Sequence, residues 1–400
     1  MTTFCLIVNC TLFHYRYIWR KYIFIACLIQ FLVPLHKFLS KLNSDLYDRT
    51  KNKAMIDTLT SLRFIFAIMV FSAHCYVIDS FFNTHFFKEG FVGVSFFFVL
   101  SGFIIAYNYQ KKLSESKISK RTFWVARIAR VYPLHWLTLL VAAVLGNYVV
   151  ASGTTEWLKH FFASLTLTNG YIPQADYFFS FNSPSWSLCC EQLFYFCFPF
   201  FIPLTKNYKR LLCIFIVAAI LVVTGMYFTP ENDIKGYWYV NPITRLPDFI
   251  AGMLLFQLYD RLKDKNISLP QGTIIEIASI VLFLAFYFYA IEIPKVYRYS
   301  CYYWLPVAVI LISFSLQKGY VSHLLSNRFL IIGGEISYSF YLIHLFVLLT
   351  YSEWQKGSSF RIAWYIAVPV LFGIIVLLSL LSYYYFEKPM NKRIKIWLNK

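Results

Sequence analysis

Residues 59–78, LTSLRFIFAIMVFSAHCYVI, form an apolar run about as long in helix as a bilayer core is thick, roughly 20 residues at 1.5 Å each. In lipid every backbone N–H and C=O must be satisfied within the chain, so a run of this kind has few folds open to it besides a helix. Similar runs recur at 91–109, 131–150, 188–204, 211–228, 243–258, 273–291, 302–316, 330–351 and 362–385. With 59% hydrophobic and only 14% charged residues, the chain lies outside the soluble range. The fold class expected is all-α: a polytopic transmembrane bundle of about ten core helices. No internal repeat is evident, which argues against a transporter built from inverted repeats.

The net charge of +18 is gathered into short loops. Lys111, Lys112, Lys117, Lys120, Arg121, Arg127 and Arg130 mark one loop as cytoplasmic, and Lys206, Lys209 and Arg210 mark another. Basic loops fall on alternate sides, so both core termini are expected in the cytoplasm. The charge therefore reports topology and membrane lipids as partners, and nucleic-acid binding is not expected. Nine cysteines lie scattered with no CxxC pair, so neither a disulfide framework nor a metal site is expected. Residues 1–54 are expected to be an interfacial extension, or to precede the true start at Met55. The membrane domain is placed at 55–390 and a basic cytoplasmic tail at 391–400.

Two ionisable residues interrupt the first run, Arg63 and His74. Eleven steps of ~100° come within roughly 20° of three whole turns, so both share one helix face about 16 Å apart. Such groups usually face a bundle interior or a wet cavity. There a neutral imidazole can serve as general base to a hydroxyl, or it can act as packing glue between helices. His74 and Asp79 also spell HxxxxD, a signature of soluble-domain glycerolipid acyltransferases, but no glycerol-phosphate motif follows. Arg127 and Arg130, at i and i+3, project from one side of a helix. Their planar forks suit the phosphates of a coenzyme or of lipid headgroups. Ser101 and Gly102, in FFFVLSGF, suit close helix packing with an indirect part in shaping the site. Glu191 needs a partner or water at its depth; Arg245 and Asp248 suit an internal ion pair; His344 is a second intramembrane histidine.

Six pieces carry a resemblance: LRFIFAIMVFSAH, FFFVLSGF, FWVARIARVYPLHWL, PSWSLCCEQLFYF, YSFYLIH and FEKP. In this order, from Ile56 to about Pro389, the chain resembles the acyltransferase-3 family of integral-membrane O-acyltransferases. The resemblance implies transfer of an acyl group, usually acetyl, to a carbohydrate hydroxyl, in a bacterial inner membrane. By motif match His74 would be catalytic and Arg63 its partner, with Arg127 and Arg130 engaging the acyl donor. Ser101, Gly102 and Glu191 would shape the site. Acetyl-CoA would be the donor substrate, with no permanently bound cofactor and no metal. The acceptor would be a polysaccharide or a lipid-linked glycan. The sequence departs from the family pattern at Cys190, where an acidic residue is common. No soluble SGNH-type hydrolase domain is expected after Lys400, so transfer is expected to finish in the membrane domain or with a partner. A carrier or flippase for a lipid-linked glycan would use a similar charged cavity without chemistry.

Overall fold

The computed structural model describes residues 56–145, 153–359 and 361–398. The chain divides into two units, Met1–Met55 and Ile56–Lys400, and the architecture below is that of the second. The expected amino-terminal extension lies outside the described residues. Helices make up nearly all of the described structure, with no strand among the described residues.

Twelve helices position the site: α1 (Asp57–His74), α2 (Val92–Ser114), α3 (Lys120–Leu145), α4 (Thr154–Leu165), α5 (Trp186–Thr205), α6 (Tyr208–Phe228), α7 (Pro242–Leu262), α8 (Leu269–Tyr289), α9 (Trp304–Ser315), α10 (Arg328–Gly357), α11 (Trp364–Ser382) and α12 (Lys388–Leu398). Each of the ten apolar stretches seen in the sequence falls on one of them, as far as the described residues go. Seven of the helical stretches among the described residues are long and apolar enough to cross a bilayer; α9 is apolar but shorter. The chain is a multi-pass membrane protein. α3 starts eleven residues before the apolar run expected at 131–150, so Arg127 and Arg130 sit within the helix. The segment expected as a tail is helical too, and α12 packs along α3, with Arg121 donating to the Leu398 carbonyl at 3.1 Å.

Helix starts follow local chemistry. Asn207, Asn241 and Asn327 accept from the backbone N–H two residues on, at 3.0, 2.9 and 2.8 Å, and so begin α6, α7 and α10. Ser268 and Gln271 form a capping box at the start of α8.

Burial sorts the helices into inner and outer. In the most apolar stretch of α2, 72% is buried inside the protein, against 17% for α6, which turns Ile216, Ile220 and Leu221 outwards. An outer apolar face of this kind matches lipid, whereas α2 needs protein neighbours on every side. Two close approaches lock the interior. A Cβ at Gly102 would meet the Phe249 carbonyl oxygen at 2.0 Å, and one at Gly252 would meet that of Val99 at 1.9 Å, so α2 and α7 touch backbone to backbone. Gly334 lets α10 approach the Thr60 carbonyl of α1 in the same way. The α1–α10 seam carries the site.

A buried tie holds the far side. Arg245 and Asp248 pair at 2.9 Å with both side chains fully buried, as the sequence suggested. Arg245 also donates to Ser95 at 2.8 Å and to the Tyr299 carbonyl, while Ser300 and Trp304 donate to Asp248. With those partners the pair is satisfied within the bundle, which a charge at that depth requires.

Candidate functional site

His74 is the last residue of α1, and its half-buried ring turns towards α10. Its Nδ1 lies 2.8 Å from the Val70 carbonyl one turn back. The same Nδ1 lies 3.2 Å from Nε2 of His344, a buried residue of α10. The two rings are 5.0 Å apart at 57°. Nδ1 of His344 lies 2.7 Å from the Tyr341 carbonyl, and its ring stacks on Phe340.

Arg63 sits three turns back along the same helix. It opens onto a narrow cavity of about 50 Å³, room for a few waters, that also touches Ser187, Glu191, Ser337, Tyr338 and Tyr341. Among the described residues the Arg63 guanidinium makes no ion pair within 4 Å, and the charges of Glu191, Arg130 and Glu387 act on it from further away. Glu191 accepts from the Tyr195 hydroxyl at 2.7 Å, and Ser101 lies beside that hydroxyl. On α10, residues 337, 341 and 344 stand at i, i+4 and i+7, one stripe running from the cavity of Arg63 to the ring of His74.

The arginine pair of α3 reaches the opposite end of this polar line. Arg127 donates to the Tyr109 hydroxyl at 3.0 Å and lies over the rings of Tyr109 and Tyr195 at 5.0 and 5.6 Å. Its Nε is buried with no hydrogen-bond partner among the described residues. Arg130 pairs with Glu387 at 2.9 Å and covers the Tyr338 ring at 5.1 Å. Ser339 donates to the other oxygen of Glu387. Tyr109, Arg127, Tyr195, Glu191 and Arg63 thus make a chain of polar groups through the bundle interior. Such chains are costly in lipid and are kept where they meet a substrate or a proton.

Arg63, Ser101, Arg127, Arg130 and Glu191 therefore gather along one interior path, with His74 on the same face of α1 as Arg63. Gly102 does not line the path: it is the contact point of α2 with α7. Asp79 takes no part either, because its carboxylate caps the next turn by accepting from the Phe81 N–H at 2.8 Å. The HxxxxD spacing is thus a local turn. Cys190 is fully buried and its thiol faces the Val240 carbonyl, so the site has Glu191 alone where two acids are common. Cys75 is equally buried, its thiol against the Phe71 carbonyl.

Sequence reasoning gave no role to Tyr195 or Glu387, although both lie in the quoted pieces, and left His344 as a second intramembrane histidine. For His344 a signal existed, the polar stripe Ser337, Tyr341, His344 within an apolar helix. For Glu387 the FEKP piece marked the position, but its pairing with a residue 257 positions away left no trace.

The acyltransferase-3 family profile, an acyltransferase domain, matches residues 56–384. Acyltransferase MdmB of Streptomyces mycarofaciens is 28% identical over 333 residues, which cover 76% of this chain and 81% of that protein. "Putative peptidoglycan O-acetyltransferase YrhL" of Bacillus subtilis is 26% identical over 376 residues, covering 86% of this chain and 56% of that protein. No solved structure matches.

Proposed function

The chain belongs to the acyltransferase-3 family and is an O-acyltransferase, and from that premise we propose that it moves an acetyl or similar short acyl group from acyl-CoA to a hydroxyl of a polysaccharide or of its lipid-linked precursor. The membrane in question is the bacterial inner membrane, with the donor entering from the cytoplasm and both core termini on that side. The observation that carries this reading is the interior path from Arg127 to Arg63, with His74 further along the same face of α1. An acyl donor bearing several phosphates needs cations at its entry and an apolar, narrow passage for its arm. A sugar hydroxyl needs a base at the far end.

Each residue has a role that its surroundings support. Arg127 has a buried Nε without a partner among the described residues and an aromatic bed that suits its fork to phosphate. Arg130 contributes charge but is held by Glu387. Arg63, without an ion pair among the described residues, is placed to hold a pyrophosphate of the donor, with the thioester reaching on towards His74. The cavity of about 50 Å³ is too small for a pantetheine arm at rest, so donor entry requires the aromatic wall of Phe97 and Tyr338 to turn. His74 takes the hydroxyl proton while the hydroxyl oxygen attacks the thioester carbonyl. The carbon–sulfur bond then breaks, and the coenzyme thiolate recovers the proton from His74. The carbonyls at the C-terminus of α1 carry partial negative charge, which favours the imidazolium as it forms.

No enzyme nucleophile enters this sequence. Cys75 is shut off from the path, which supports direct transfer over an acyl-enzyme route. Purified protein given acetyl-CoA and a glycan acceptor tests the reading. Release of free coenzyme thiol with one ester formed per thiol is expected. Glycan movement across vesicles with no thiol released would instead make the protein a carrier.

A further inference from the structure

We propose that His344 is the positioning residue of His74: it accepts the Nδ1 proton of His74 and leaves Nε2 as the atom that takes the substrate proton. This rests on the reading of His74 as the base. Two backbone carbonyls determine the arrangement, because a carbonyl oxygen only accepts. The Tyr341 carbonyl lies 2.7 Å from Nδ1 of His344, so in the neutral ring that nitrogen carries the hydrogen and Nε2 is bare. The Val70 carbonyl lies 2.8 Å from Nδ1 of His74, so that nitrogen too carries its hydrogen. The contact between the rings, Nδ1 of His74 to Nε2 of His344 at 3.2 Å, then has one donor and one acceptor. The hydrogen on His74 is shared between the Val70 carbonyl and the His344 lone pair. The opposite choice of tautomer would set two lone pairs, or two hydrogens, against each other at one of these contacts.

The consequence is directional. Nε2 of His74 has no hydrogen-bond partner among the described residues. It is the free lone pair of the pair. When Nε2 takes a proton, positive charge spreads over the His74 ring, and the His344 lone pair stabilises it through Nδ1–H. The stack with Phe340 and the bond to the Tyr341 carbonyl keep the His344 ring from turning away. The pair repeats the logic of a base held by a second group, with a neutral imidazole where an aspartate is more usual. A neutral partner suits an apolar seam, since a carboxylate there would itself need a cation.

His344→Phe and His344→Gln test this in the purified protein, with melting temperature checked for each. Phenylalanine keeps a ring on Phe340 but has no lone pair; glutamine offers an acceptor oxygen. His344→Phe is expected to lower kcat by roughly 10- to 100-fold, the range for outer partners that orient an active imidazole, with both KM values within about 2-fold. His344→Gln is expected to recover a large part of that loss. Equal activity in the two variants, whether high or low, would overturn the proposal, because packing alone would explain it. A second readout needs no turnover: ¹⁵N spectra of the wild-type histidines, with His74 assigned from His74→Ala. Nδ1 protonated, Nε2 bare and a coupling between His74 Nδ1 and His344 Nε2 are expected. A protonated Nε2 on His74 overturns the pairing even if His344→Phe fails to fold. An absence of acyl transfer by the wild-type protein overturns the proposed function alone, since the spectra still decide the pairing.

Discussion

Arg130 and Glu387 meet at 2.9 Å across 257 positions of sequence, joining the RxxR helix to the FEKP segment that follows α11. Glu387 is buried and also holds Ser339 of α10, so one carboxylate ties three helical segments together at the arginine end of the site.

Glu387→Gln leaves the Arg130 guanidinium in a mostly buried place without its counter-charge. The expected cost is about 3 kcal/mol of stability, read as a fall in melting temperature of the purified protein. Pairing it with Arg130→Gln is expected to recover part of that loss, because no uncompensated charge remains. A double variant as unstable as the sum of the singles would show that the two side chains act independently.

Gly102→Ala and Gly252→Ala each drive a methyl group into a backbone carbonyl of the facing helix, at 2.0 and 1.9 Å. Backbone does not yield as a flexible side chain does, so about 3 kcal/mol of destabilisation and a low yield of folded protein are expected. Gly373→Ala, whose added methyl meets nothing within 4 Å, is the matched control and is expected to be neutral or slightly stabilising.

Arg127→Ala is expected to raise the KM for acetyl-CoA roughly 10- to 100-fold, the loss of a hydrogen-bonded charge on a phosphate. With acetyl-pantetheine, which carries no nucleotide phosphates, wild type and variant are expected to have the same KM. A parallel change with both donors would place Arg127 in packing and not in phosphate binding.

Cys75→Ala is expected to keep kcat within about 2-fold, since the proposed general acid–base transfer uses no thiol. Mass measurement of the wild-type protein after rapid quench with acetyl-CoA is expected to find no covalent acyl adduct. An adduct on any residue would replace direct transfer with a two-step route.

Much of this arrangement was legible in the sequence because it depends on local periodicity. The eleven-residue spacing of Arg63 and His74 places them on one face whatever the rest of the chain does, and both lie on α1. The apolar runs marked the helices for the same reason. The apolar run at 131–150 marked only part of α3, because the first turns of that helix are basic and carry no apolar signal, although the spacing of Arg127 and Arg130 already put them on a helix. Contacts between distant helices left no such trace. Neither Glu387 beside Arg130 nor His344 beside His74 follows from one sequence, because α10 meets α1 through Gly333 and Gly334, whose small size permits contact without naming the partner. HxxxxD was the reverse case, a pattern with a known chemical meaning that here only starts a turn at Asp79.

The claim that His74 is the base of an O-acyl transfer is tested most directly on the cell's own surface glycans. Ester-linked acyl groups released by mild base would be compared in the natural strain, a deletion strain, and the deletion carrying His74→Ala at matched membrane levels. The account predicts that one ester disappears on deletion and stays absent with His74→Ala, while the wild-type copy restores it. Full restoration by His74→Ala would contradict it.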